Sequence, residues 1–101
     1  MRRSLIRYRT APERADENER LIKRVFAELA MKSPPGLAYL VLRSGDGSFF
    51  HVVANATEGD SPITALDAFK AFQSDIRGRC IDPPEPRNVT IVGNYRMLAE
   101  G

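Results

Sequence analysis

Cysteine is nearly absent from this chain. Of 101 residues only Cys80 carries a thiol and only His51 an imidazole, and there is no tryptophan. A lone cysteine excludes a disulfide framework and a cysteine-based metal site. With a single histidine beside it, an all-protein zinc or iron centre would need carboxylates for most of its ligands. A bound metal is therefore not expected. No apolar run approaches the ~20 residues that span a bilayer, so no membrane helix is expected. Met1, Arg2 and Arg3 begin as an export signal would, yet Arg7 and Arg9 stand where its apolar segment should follow. A cytoplasmic protein is the expectation.

A surplus of one charge is missing too. Fifteen basic against thirteen acidic residues leave +2, too little for the dense basic face that nucleic acid requires. Arg2, Arg3, Arg7 and Arg9 crowd the start, which reads as a solvated edge strand. What remains is ordinary for a globular protein, with 43% apolar and 28% charged residues. The length suits one core, and no repeat or linker divides it, so residues 1–101 are read as a single domain.

Residues 3–10 mix β-branched and aromatic residues with alternating arginines and predict a first strand. Thr10 then caps a helix that Pro12 opens and Glu13, Asp16 and Glu17 favour electrostatically, running to about Lys32. Leu21, Ile22, Val25, Phe26 and Leu29 form its apolar stripe. Glu19–Lys23 and Glu28–Lys32 are i,i+4 pairs, and Ser33-Pro34-Pro35-Gly36 stops the helix. Leu37–Arg43 and Phe49–Ala56 are strands joined through Asp46-Gly47, a strong hairpin signal. A loop over 58–62 leads to a second helix, about Ile63 to Arg79, with Leu66, Phe69, Phe72 and Ile76 buried and an Asp75–Arg79 pair. Asp82-Pro83-Pro84-Glu85-Pro86 reads as a stiff connector and Asn88–Arg96 as the last strand.

The order β-α-β-β-α-β predicts an α+β, ferredoxin-like fold, a four-stranded antiparallel sheet with both helices on one face. The other face should then meet water and alternate with polar residues. It does not: Ala38, Leu40 and Leu42 oppose Leu37, Tyr39 and Val41, and Phe50, Val52 and Ala54 oppose Phe49 and Val53. Val89 and Ile91 oppose Val92 in the same way. An apolar patch of that size calls for a cover, and a second copy of the same face supplies one. A homodimer through the sheet face is expected.

Several segments carry a resemblance. Ala15-Asp16-Glu17-Asn18-Glu19, Gly36-Leu37-Ala38-Tyr39, Asp46-Gly47-Ser48-Phe49-Phe50-His51-Val52, Phe69-Lys70-Ala71-Phe72 and Gly93-Asn94-Tyr95-Arg96 look like the small proteins grouped with the antibiotic biosynthesis monooxygenases. These belong to the dimeric α/β-barrel superfamily, and the likeness covers nearly the whole chain. It implies a pocket in each subunit between sheet and helices. It also implies oxygen chemistry on aromatic compounds without metal or flavin. The related haem-degrading branch pairs Asn, Trp and His, whereas this chain has no Trp and no Asn in its first strand.

His51 is the natural acid/base near neutral pH and the candidate catalytic residue, with a hydrogen-bonded structural histidine as the other reading. Asn18 shares the face of Leu21 and Ile22, so its amide must find a ligand or a protein partner. Tyr8, Tyr39 and Tyr95 could line a pocket for a flat aromatic ligand, or simply pack. Three functions follow. The first is a small homodimeric barrel with a pocket for a hydrophobic or aromatic molecule, which as an enzyme would be a cofactor-independent monooxygenase-like or isomerase-like one. The second is a non-catalytic structural or sensing dimer of the same fold. The third, an RNA-binding domain, shares the element order, but the small net charge and apolar sheet face oppose it.

Overall fold

The computed structural model describes residues 2–56 and 61–98. Strand β1 spans Arg2–Thr10, helix α1 Ala15–Lys32, β2 Leu37–Arg43 and β3 Ser48–Asn55. Helices α2, Asp67–Gln73, and α3, Ile76–Arg79, precede β4, Cys80–Asn88. All pairings are antiparallel and the strands lie in the order β2-β3-β1-β4. The architecture is α+β and ferredoxin-like. Strand β1 is central, not the edge its arginines suggested, because β3 and β4 hydrogen-bond to its two sides.

The chain enters α1 through a short 3-10 turn at Pro12–Arg14. Thr10 is not its cap; it ends β1 fully buried, and its hydroxyl finds no partner among the described residues. Within α1 the buried side is Ala15, Asn18, Ile22 and Val25, a helical stripe, with Leu21, Phe26 and Leu29 packed beside it. The helix stops where Ser33 turns left-handed (φ 42°) and donates its N–H to the Leu29 carbonyl, with Pro34 and Pro35 blocking continuation. Glu28 pairs with Lys32 and also accepts the Ala68 N–H at 2.8 Å, so α1 caps the start of α2.

The β2–β3 hairpin closes at Asp46-Gly47, where Asp46 accepts the Ser48 N–H and Gly47 takes φ +86°. Its turn docks on β1, since Thr10 N–H donates to the Gly47 carbonyl at 3.0 Å. Most of the loop expected over 58–62 lies outside the described residues; Ser61 and Pro62 begin a 3-10 turn at Pro62–Ala65.

Further expectations fail. The second helix is not continuous from Ile63 to Arg79: Leu66 is extended, and the backbone departs from the helix again at Asp75. Asp75 pairs with Arg14, and Arg79 turns inward instead of bridging to Asp75. The last strand is not Asn88–Arg96 either. The proline-rich 82–86 stretch itself lies in β4, with Ile6 opposite Pro86 and Arg9 opposite Asp82 across one register shift and a second shift before Thr10. An edge strand needs hydrogen bonds on one side only, so prolines that would break a central strand are tolerated there. The Val89 N–H donates to the Arg3 carbonyl, one residue from the first residue of β1. The chain then leaves the sheet, and Asn94 closes a turn by accepting the Met97 and Leu98 N–H groups.

The sheet's inner face carries Ile6, Tyr8, Tyr39, Val41, Phe49 and His51 against the helices. On the outer face the register aligns Leu5, Val52 and Leu40, and beside them Arg7, Phe50 and Leu42. Leu40 and Leu42 are 44% and 52% exposed.

Candidate functional site

One continuous row of hydrogen bonds crosses the interior from α3 to β2. Arg79 donates Nε–H to Asn18 Oδ1 at 2.9 Å, and Asn18 donates Nδ2–H to Tyr8 Oη at 2.8 Å. Tyr8 Oη lies 2.8 Å from His51 Nε2, and His51 Nδ1 lies 2.5 Å from Tyr39 Oη. The local structure explains the alignment. Ile6 pairs with His51 and His51 with Val41 across adjacent strands, which places Tyr8 and Tyr39 on the same face as the ring between them. Asn18 comes up from the buried stripe of α1, and Arg79 is the last residue before the chain enters β4.

Aromatic packing holds the row in place. Tyr8 stacks on Phe49 with centroids 5.5 Å apart, Tyr39 stacks on Phe26 at 5.0 Å, and Phe72 lies against His51. Beside the row is a cavity of about 130 Å³ between the sheet and α2–α3. Tyr8, Tyr39 and His51 form its polar wall, and Ile6, Val53 and Phe69 are among its apolar lining. Gln73 and Ile76, which flank the break between α2 and α3, both line the cavity.

Burial dominates the electrostatics. It pushes the His51 imidazole down to about 4, so the ring is neutral at pH 7. It pushes both the Tyr8 and Tyr39 phenols above the usual tyrosine range, so both keep their protons. The row therefore holds neutral groups between a guanidinium at one end and the cavity at the other. His51 is a weak base in this setting, and any proton it exchanges with the cavity passes through a phenol. Among the described residues no three His, Cys, Asp or Glu side chains gather as a metal site would require.

Four of the residues singled out in the sequence thus meet: Asn18, Tyr8, His51 and Tyr39. The fifth, Tyr95, stands apart on the C-terminal segment, 80% exposed, with the Arg96 guanidinium over its ring. Arg79 was missed. Its signal was present, because Phe72, Ile76 and Arg79 fall four and three residues apart on one helical stripe, but the i,i+4 spacing from Asp75 suggested an exterior pair instead.

No family model matches the sequence, and no curated protein matches it. Solved structures do. The "putative antibiotic biosynthesis monooxygenase" of Nitrosomonas europaea superposes with a TM-score of 0.75 over 92% of this chain and 100% of its own, at 11% identity. The protein of that name from Caulobacter crescentus gives 0.72 over 91% of this chain and 90% of its own, at 18% identity. The chain has the fold of the antibiotic biosynthesis monooxygenase-like proteins. A conserved protein of Methanosarcina mazei shares this monooxygenase-like fold, with a TM-score of 0.72 at 18% identity, over 87% of this chain and 89% of its own. Among the described residues no helix is long and apolar enough to cross a membrane.

Proposed function

We propose that this protein binds a hydrophobic, aromatic small molecule in the cavity between sheet and helices. In this reading the chain works as one domain, paired with a second copy as a dimeric α/β barrel. The carrying observation is the cavity itself, whose wall is apolar except for Tyr8, His51 and Tyr39 from the sheet and Gln73 from α2. Its size, about 130 Å³, approaches that of the apolar cavities of ~150 Å³ that accept benzene, so one ring fits. Such a lining selects a flat apolar body and offers polar groups in few places to orient it.

The outer sheet face supports the dimer. Leu40 and Leu42 are exposed beside Leu5, Phe50 and Val52, and contiguous apolar surface of this kind marks an interface. A two-fold axis would bring the same face of two copies together.

As a reaction, the site supports cofactor-independent, monooxygenase-like chemistry in which the aromatic substrate is itself the reductant: a ring CH₂ becomes C=O as dioxygen gives one oxygen atom to it and the other to water, with His51 exchanging protons through its neighbouring phenols. Proton transfer alone would make it isomerase-like. Native mass spectrometry of the purified protein tests the reading, because it reports assembly and retained ligand together. A dimer carrying the mass of a small aromatic compound supports it. A monomer overturns the face-to-face assembly. A dimer that takes up no aromatic compound transfers the reading to a non-catalytic structural or sensing module of the same fold.

A further inference from the structure

We propose that Arg79 is the positioning residue of this site: it fixes the direction of every hydrogen bond from itself to Tyr39, so that the cavity meets a hydroxyl donor and takes ligands with an acceptor oxygen, such as a ketone. The second half of this rests on the ligand reading above; the first half does not.

The direction follows from what each group can do. A guanidinium has donors and no acceptor. Asn18 must therefore turn Oδ1 toward Arg79 Nε, which leaves Nδ2–H for Tyr8 Oη. Tyr8 is 2% exposed, and its own proton has one remaining neighbour, His51 Nε2. A bare Nε2 puts the proton of the neutral ring on Nδ1, which donates to Tyr39 Oη. The Tyr39 proton then has no acceptor among the described residues, and Tyr39 lines the cavity. Reversing the whole row would face the Asn18 amide N–H groups against the guanidinium, and reversing the His51 tautomer alone would leave the buried Tyr8 proton unpaired.

Arg79 is placed as a polarising group rather than as half of an ion pair. It is 1% exposed, and its partners are neutral: Asn18 Oδ1, the Phe72 carbonyl at 2.6 Å and the Phe72 ring, 5.2 Å away. Among the described residues no carboxylate bonds to it, and Glu17 acts on it only through space. A buried charge held this way is costly, and an apolar residue would close the same core with a smaller loss of solvation. Hydrogen bonds aligned head to tail from a cation polarise one another, so the far end of the row favours negative charge on a ligand oxygen.

His51 is the only histidine, so ¹⁵N-histidine labelling gives the spectrum of one ring. At pH 7 Nδ1 is expected protonated and Nε2 bare; a protonated Nε2, or an even mixture, overturns the proposal. Arg79→Lys, which also offers only donors, keeps the tautomer. Arg79→Gln, which offers an acceptor, releases the Asn18 amide to flip and gives a mixture; a folded R79Q with an unchanged tautomer removes Arg79 from the role. Should either variant fail to fold, the wild-type spectrum still decides the direction.

The ligand half is tested with acetophenone and α-methylstyrene, which differ by C=O against C=CH₂. Acetophenone is expected to bind about tenfold tighter, the size of one hydrogen bond in a dry site, and Tyr39→Phe to remove the difference. Equal affinities overturn the acceptor preference. Binding of neither overturns the ligand reading, while the tautomer still decides the role of Arg79.

Discussion

Tyr8 and His51 lie 43 residues apart in the chain and 2.8 Å apart in space, phenol oxygen against imidazole nitrogen. Adjacent strands and a common face bring them together, and α1 and α2 seal them from solvent. The imidazole is thereby held neutral, since nothing nearby compensates a positive ring for the lost water.

Acid should therefore destabilise the protein earlier than its carboxylates would. The folded His51 value of about 4 lies below the usual 6.5, so the unfolded chain binds the extra proton between those limits. Stability is full above pH 6.5 and falls as pH drops through the window. The carboxylates of Glu17, Glu19, Glu28 and Asp46 are held below their usual range by hydrogen bonds, so their losses begin lower, near pH 4.5 for the glutamates and near 3.8 for Asp46. Urea denaturation should show a loss of about 2 kcal/mol between pH 7 and pH 5. A flat profile over that span would mean that His51 is solvated or already charged.

Tyr8→Phe keeps the ring stacked on Phe49 but removes the one oxygen that joins Asn18 to His51. It leaves a buried amide N–H and a ring nitrogen unpaired, at a cost of about 2–3 kcal/mol. The urea midpoint should fall with an unchanged slope; a change under about 0.5 kcal/mol would show that water replaces the phenol oxygen.

Much of this molecule was legible. Asp46-Gly47 located the hairpin, Leu37–Arg43 was read with its observed limits, and the Asn18 amide on an apolar stripe pointed inward as it stands. Local chemistry dominated at each of those places. The fourth strand was not legible, because Pro83, Pro84 and Pro86 carry the same local signal in a connector and on a sheet edge. Only the position of β1 beside them makes the difference. Arg79 failed for a related reason: a helical spacing cannot tell which way a long side chain turns at a helix end. Tyr95 lies beyond the end of β4 at Asn88, a limit that the alternation of Val89, Ile91 and Val92 does not reveal.

Leu42→Arg should break the proposed dimer without unfolding the subunit. The side chain sits on the outer face beside Phe50, already half in solvent, so the isolated fold loses little. Sedimentation velocity should show a shift from dimer to monomer, with circular dichroism unchanged. A dimer that persists would place the interface elsewhere.

Gly47→Ala should loosen the junction between hairpin and β1. The residue has φ +86°, and a Cβ there would lie 3.1 Å from the Thr10 carbonyl oxygen. Strain and crowding together should cost about 1–2 kcal/mol, read from the thermal midpoint. An unchanged midpoint would mean that the turn shifts freely away from β1.

The prolines of β4 have a consequence for how this sheet can grow. Val89 and the residues alternate to it turn their backbone toward β1, so Pro84 and Pro86 stand at outward positions, and neither has an N–H to offer a strand approaching from outside. Neighbouring chains cannot template themselves along it as they would along an open edge. Lateral extension is left to the opposite border, at β2, and broad association to the flat face between the two. The same residues that disguise a strand in the sequence shut one side of the sheet against aggregation.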